Sequence, residues 1–243
     1  MKRGKTITTV VVILAIITVG EFMYFGYEAF WGPFKGLTTL KITHQYDTKR
    51  QNEIVFYGAS NFARWDTMEK DLAGYKVQNH GFGGSTDKDL LKYADTLLFS
   101  YNPRIVFFQT GSNDYVDMTG TDAEKVSKVI EYKRDMFAKF HERLPNATFV
   151  VMSGLLLPGR SEYTPMTQEI NRQLQDICNK HHDYMYFVDA SKMTYDGMKY
   201  DETLFVEDRI HLNQKGHDIW TKDYIVPAIE RIIKEKALES VRK

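Results

Sequence analysis

Five short apolar runs, each closed by a turn residue, recur along the chain after residue 53. Ile54–Tyr57 ends at Gly58, Tyr75–Asn79 at Gly81, Ile105–Phe108 at Gly111, Thr148–Met152 at Gly154 and Tyr184–Val188 at Asp189. Runs of this length and density are the pattern of strands buried on both faces of a parallel sheet. Between them, apolar positions recur near the helical period: Val126, Val129, Ile130, Phe137, Phe140 and Leu144, then Ile170, Leu174, Ile177 and Cys178. The last set makes Cys178 a core thiol. Asn213 is a candidate N-cap for a final helix carrying Ile219, Trp220, Ile229, Ile232 and Ile233, with Pro227 expected to kink that helix or begin a second one. Strands alternating with helices predict a parallel sheet covered on both faces. Five strands predict a flavodoxin-like three-layer α/β/α sandwich. Such sheets bind ligands beyond the carboxyl ends of their strands, so chemistry is sought in the loops that follow each run.

The first thirty residues break this pattern. Lys2, Arg3 and Lys5 precede the apolar run Val10–Val19, which aromatic residues from Phe22 to Trp31 extend. The strictly apolar part is too short to span a bilayer alone, but the aromatic extension suits a membrane–water interface. The expectation is a signal-anchor or transmembrane helix over 1–30, a juxtamembrane tether over 31–52 and an extracytoplasmic catalytic domain over 53–243. A cleaved signal peptide is the alternative. Either way, the positive flank keeps the N-terminus in the cytoplasm and the remainder is exported.

Composition narrows the function classes. Lys plus Arg and Asp plus Glu both number 32 in 243 residues, so no positive excess points to nucleic acid. A single cysteine excludes a disulfide framework and a cysteine-rich metal cage. No repeat at a solenoid period is apparent.

Four loops carry candidate chemistry. Gly58-Ala59-Ser60-Asn61 places a serine at a strand-to-helix turn, where free helix N–H groups also gather. Asn79 to Ser85 is glycine-rich, yet its spacing fits neither a dinucleotide fingerprint nor a P-loop. It serves as a tight turn or presents backbone N–H groups to a reacting oxygen. Gly111-Ser112-Asn113-Asp114 offers a side-chain amide as an oxyanion donor or as a helix cap. Asp208 and His211 stand three apart, close enough in a turn for the carboxylate to hold one ring nitrogen and leave the other as a base. Each loop alone has an ordinary structural use.

Together, in this order, the four loops resemble the SGNH (GDSL-type) hydrolase family, over roughly residues 53 to 236. The resemblance implies that Ser60 is the nucleophile, His211 the base and Asp208 its orienting carboxylate. It also implies an oxyanion hole from the Ser60 and Gly84 N–H groups and the Asn113 amide, with Gly81 or Gly83 as the alternatives to Gly84. Ala59 stands where the family usually has Asp, so a hydrogen bond near the nucleophile is missing or replaced by Asn61. The implied activity is ester hydrolysis through an acyl-enzyme, with no metal or organic cofactor. The same residues serve acyl transfer, and a catalytically silent binding or envelope-assembly module on this fold is a further alternative. A metal hydrolase built on Asp208, His211 and His217, or on His181-His182, fits poorly, because neither set shares a helix face. The segments 157–165 and 192–206, with Arg160, Tyr163, Tyr195, Tyr200 and Phe205, are expected to flank the cleft. The absence of a long lid insertion points to short acyl esters, such as acetyl groups on an envelope glycan. Asn146-Ala147-Thr148 fits a glycosylation acceptor but reads as an incidental match.

Overall fold

The computed structural model describes residue 13, residues 16–20 and residues 35–241. The strands are β1 (Ile54–Gly58), β2 (Val77–Asn79), β3 (Ile105–Gln109), β4 (Thr148–Met152) and β5 (Met185–Val188). They form one parallel sheet in the order β2-β1-β3-β4-β5. The five apolar runs are therefore the five strands, with β2 and β5 starting one or two residues later than expected. Every residue of β1, β3 and β4 is buried. Side chains alternate between two cores, as the strand period requires. Val55, Tyr57, Val106, Phe108, Phe149 and Val151 face one. Ile54, Phe56, Ile105, Phe107, Val150 and Met152 face the other.

Helices cover both faces. On the first lie α1 (Lys35–Gln45), α4 (Asp87–Leu97), α5 (Asp122–Arg143) and α6 (Thr164–Lys180). On the second lie the short α2 (Ser60–Ala63) and α3 (Met68–Asp71), α7 (Ser191–Thr194), α8 (Gln214–Trp220) and α9 (Val226–Val241). Capping boxes built by Thr86 with Asp89 and by Thr121 with Glu124 start α4 and α5. Asn213 caps α8, accepting the Gly216 N–H at 3.1 Å. A π-helical stretch, Thr221–Ile225, joins α8 to α9. Pro227 comes just after that stretch, in a helix that runs without interruption from Gln214 to Val241, so the expected kink or second start appears as a π-helical turn. Cys178 is buried, and burial pushes its thiol up to about 12.

The span expected to be a tether contains α1. Its Ile42, with Tyr46 immediately beyond, is buried in the first core, and the Tyr46 hydroxyl accepts the Asn79 N–H at 3.1 Å and donates to Glu69 Oε1 at 2.8 Å. The expected N-terminal anchor falls almost wholly outside the described residues. Residues 16–20 are helical and exposed. Among the described residues, no helix is long and apolar enough to cross a membrane.

Candidate active site

The first loop is set by a contact between strands. A Cβ on Gly58 would lie 2.2 Å from the Gln109 carbonyl oxygen, so only glycine lets β1 run this close to β3. Ala59 donates its N–H to that same oxygen at 2.8 Å, and the chain turns into α2 with Ser60 as its first residue. The glycine-rich loop packs against α2. Asn79 donates to the Phe62 carbonyl at 2.7 Å and accepts the Gly81 N–H at 3.0 Å. A Cβ on Gly81 would meet Ala63 N at 2.5 Å, which explains the glycine there. His80 is not part of the chemistry. It is fully buried, with Nδ1 2.6 Å from the Leu97 carbonyl and Nε2 3.2 Å from Gln78 Oε1. Burial holds its ring down to about 4.

The C-terminal turn brings His211 to Ser60. Arg209 adopts a left-handed conformation, φ 57°, and folds Asp208 back toward His211. Asp208 Oδ1 accepts the Ile210 and His211 N–H groups at 2.9 Å each, and Oδ2 lies 2.7 Å from His211 Nδ1. His211 Nε2 lies 2.7 Å from Ser60 Oγ. Burial alone would raise the Asp208 carboxyl, but the hydrogen bonds from His211 and Ile210 hold it at about 2. An ionised carboxylate only accepts, so Nδ1 carries the proton and Nε2 is left to accept from the Ser60 hydroxyl. Burial lowers the His211 pKa, opposed by Asp208 and assisted by the nearby Arg64 and Arg160 charges. Arg64 Nη1 also lies 3.2 Å from Asp208 Oδ2, on the exposed side.

Asn113 sits in a single 3₁₀ turn, Ser112–Asp114. It lines a pocket of about 30 Å³ together with Ser60, Gln109, Leu155, Arg160 and Ile210, among others. Its Nδ2 donates to the Ser85 carbonyl at 3.2 Å. Gly84, at φ 66°, needs the freedom of glycine, but it is not among the residues lining that pocket. It joins the site through Ser85, whose hydroxyl donates to the Gly58 carbonyl at 3.1 Å. Thus the structure brings Ser60, His211 and Asp208 into one hydrogen-bonded chain. Asn113 shares the pocket of Ser60, and Gly84 is one residue removed from Asn113's partner.

Behind Asn113 lies a buried ionic cluster that no local pattern in the chain announces. Lys133 Nζ, from α5, is 2.8 Å from Asp87 Oδ2, and both side chains are almost fully buried. Thr110 Oγ1 donates to Asp87 Oδ1 at 2.8 Å, and Asp114 Oδ1 accepts the Asp87 N–H at 2.7 Å. Burial, then the Asp87 carboxylate, raises the Asp114 carboxyl to about 7. The cluster clamps the loop before α4 to the loop after β3.

The remaining candidates have structural roles. His217 stacks on Trp65, ring centroids 5.4 Å apart, and donates from Nε2 to the Asn61 carbonyl at 3.2 Å. His181 and His182 lie exposed beyond the end of α6. Tyr163 packs on Tyr115, Tyr195 on Tyr200, and Phe205 is buried in the second core. Of the residues expected to flank the cleft, Leu157 and Arg160 line the Ser60 pocket.

Solved structures with this architecture include a lipase/acylhydrolase from Enterococcus faecalis. It is 21% identical, with 76% of this chain and 97% of that one covered at a TM-score of 0.59. A GDSL-like lipase from Bacteroides thetaiotaomicron is 18% identical, covering 81% and 96% at 0.59. A catalytic mutant of an acetylxylan esterase from Geobacillus stearothermophilus is 17% identical, covering 71% and 92% at 0.55. At these identities the likeness establishes a shared fold. No curated protein matches the sequence. The GDSL-like lipase/acylhydrolase family, however, matches residues 42–219, from the end of α1 through all five strands to the last residue but one of α8. With that coverage the chain belongs to the GDSL-like lipase/acylhydrolase family and is a hydrolase acting on ester bonds.

Proposed function

We propose that the protein is a serine esterase for short acyl esters, acetyl esters of a glycan being the favoured class. The observation that carries the mechanism is His211 held between Ser60 Oγ and Asp208 Oδ2, 2.7 Å from each. A serine hydroxyl is a weak nucleophile until a base takes its proton. His211 Nε2 takes it as Oγ bonds to the ester carbonyl carbon, and Asp208 stabilises the imidazolium that results. The negative charge on the former carbonyl oxygen is met by the Ser60 N–H and the Asn113 amide, the two expected donors that line the pocket. His211 then gives the proton to the departing alcohol, and water repeats the sequence on the acyl-enzyme.

Acyl size follows from the pocket beside Ser60. The enclosed part of that recess, walled by Gln109, Leu155, Leu157 and Ile210, is small, which favours a short acyl group. The acetylxylan esterase with the same fold acts on acetyl groups of a glycan, which is consistent with that limit. The full-length protein, given aryl esters from acetyl to octanoyl and acetylated glycans, should turn over acetyl esters fastest. Ser60→Ala should lose roughly 10³-fold or more while keeping its circular dichroism. Wild-type turnover by Ser60→Ala would remove the serine from the mechanism, and a preference for octanoyl esters would overturn the acyl size.

The location is also a proposal, resting on Lys2, Arg3 and Lys5 before the Val10–Val19 run. It places the catalytic domain outside the cytoplasm, anchored by the N-terminal segment. Protease added to cells with any outer membrane opened should reach the domain. Protection alongside a digested outer-face control would overturn this.

A further inference from the structure

Arg160 occupies a position that esterase chemistry alone does not require. It lies in the 3₁₀ stretch Pro158–Tyr163, and its own φ of −141° and ψ of 40° break that helix and turn the side chain out of register. The loop is placed by Gly159. The Gly159 N–H donates to the Arg209 carbonyl at 2.9 Å. A Cβ there would meet Asp208 O at 2.8 Å, Ile210 Cγ1 at 2.9 Å and Arg209 O at 3.0 Å. The loop thus lies directly on the turn that carries the base. From this footing the guanidinium crosses the Ser60 pocket. Its Nη1 donates to Asn113 Oδ1 at 3.1 Å and to Ser112 Oγ. No carboxylate lies within ion-pair distance of Arg160 among the described residues.

We propose that Arg160 is a positioning residue that fixes and polarises the Asn113 carboxamide for the oxyanion. This rests on reading Asn113 as an oxyanion donor. A carboxamide has an acceptor end and a donor end, and rotation by half a turn exchanges them. Here both ends are specified. Arg160 is a donor only, so it selects Oδ1, and the Ser85 carbonyl is an acceptor only, so it selects Nδ2. The reversed amide would set donor against donor and acceptor against acceptor. One Nδ2 hydrogen goes to Ser85 and the second is held ready for the substrate. A cation on Oδ1 also draws electron density from the amide, which makes the remaining N–H a stronger donor. The effect is present before substrate binds, so no reorganisation is needed when the charge develops. Arg160 therefore links the turn bearing the base to the loop bearing the oxyanion donor.

The test is a double-mutant cycle on the full-length protein with a neutral aryl acetate. It compares wild type, Arg160→Met, Asn113→Ala and the double variant, with Arg160→Lys as a second probe. Removing an oxyanion donor costs roughly 10²–10³ in kcat, so Asn113→Ala should fall in that range. Arg160→Met should lower kcat by about tenfold, a part of that loss, with KM nearly unchanged. In the Asn113→Ala background, Arg160→Met should cost nothing further. Arg160→Lys, a point charge that still donates, should recover part of the loss, and melting temperatures establish that each variant is folded. Additive losses would overturn the proposal, because Arg160 would then act independently of Asn113. So would a loss confined to KM, or one that grows when the ester carries an anionic group, since Arg160 would then bind substrate itself. If Asn113→Ala keeps wild-type kcat while Ser60→Ala is inactive, the proposal falls and the serine mechanism stands.

Discussion

Asn61 Oδ1 accepts the N–H of Leu212 at 3.1 Å. Asn61 follows Ser60 in the chain and Leu212 follows His211, so one buried side chain couples the helix of Ser60 to the turn of His211. The backbone of the same residue accepts from His217, which is itself stacked on Trp65. Ala59 cannot supply a side-chain hydrogen bond at the position before the serine, and Asn61 provides the brace instead.

Asn61→Ala should leave the Leu212 N–H buried and unpaired, a cost of about 1–3 kcal/mol. It should also loosen the spacing of Ser60 and His211. The expected result is a fall in kcat of roughly 10- to 100-fold with little change in KM. Asn61→Asp keeps an acceptor toward Leu212 and should retain most activity. Steady-state kinetics on a soluble acetyl ester decide it, and equal losses in both variants would show that the acceptor is not what matters.

Asp208→Asn should cost less than His211→Ala, because the amide still positions the ring while the alanine removes the base. The pH profile separates the roles. Burial already lowers the His211 pKa, so the acid limb of kcat/KM should lie below the ordinary histidine value of about 6.5. Asp208 opposes that shift, so Asp208→Asn should move the limb further down while lowering the plateau. A limb that moves up, or Asp208→Asn proving the worse variant, would contradict the assignment.

Lys133→Met should be strongly destabilising. It strands the Asp87 carboxylate, which is only 2% exposed, and breaking a buried pair on one side costs about 3–5 kcal/mol. Adding Asp87→Asn should restore much of the loss by removing the stranded charge. Urea unfolding of the two variants tests this. A mild Lys133→Met phenotype would mean that Asp87 is already neutral.

His80 should make the protein acid-sensitive. Its folded pKa of about 4 lies below the unfolded value of about 6.5, so the unfolded chain binds the extra proton between these values. Its contribution is present above pH 6.5 and is lost as pH falls, reaching roughly 3 kcal/mol at pH 4. The stability gap between wild type and His80→Gln should narrow by about that amount from pH 7 to pH 4, as read by urea unfolding at each pH. A gap independent of pH would show that His80 is not held neutral.

The central strands β1, β3 and β4 were legible because a strand buried on both faces carries few polar positions, whereas β2, with Gln78 and Asn79, and the half-buried β5 were placed less sharply. The site loops were legible because they follow those runs, at the C-terminal edge of the sheet. What was not legible had too little local signal. Among the described side chains of α1, Ile42 alone is buried in the core, with Tyr46 just beyond the helix, too weak a signal to make a period. Asp87 and Lys133 are 46 positions apart, and nothing around either charge announces that it is buried. The Arg160 loop could be placed near the cleft, but its grip on Asn113 depends on how closely Gly159 approaches Asp208 and Ile210, which no spacing encodes.

The order of the chain has a consequence for when the protein becomes active. All five strands are complete by Val188, so most of the architecture has been synthesised before Asp208 and His211 emerge. The segments that follow bring Trp220, Ile225, Ile229 and Ile232, each at most 1% exposed, onto the second face of the sheet beside α2, α3 and α7. A chain interrupted before residue 208 therefore carries Ser60 without His211 and lacks two of the helices that cover this face. On the proposed mechanism, the base and the cover of this face arrive with the same thirty-odd residues, so a chain clipped before them is inert toward esters and exposes apolar surface.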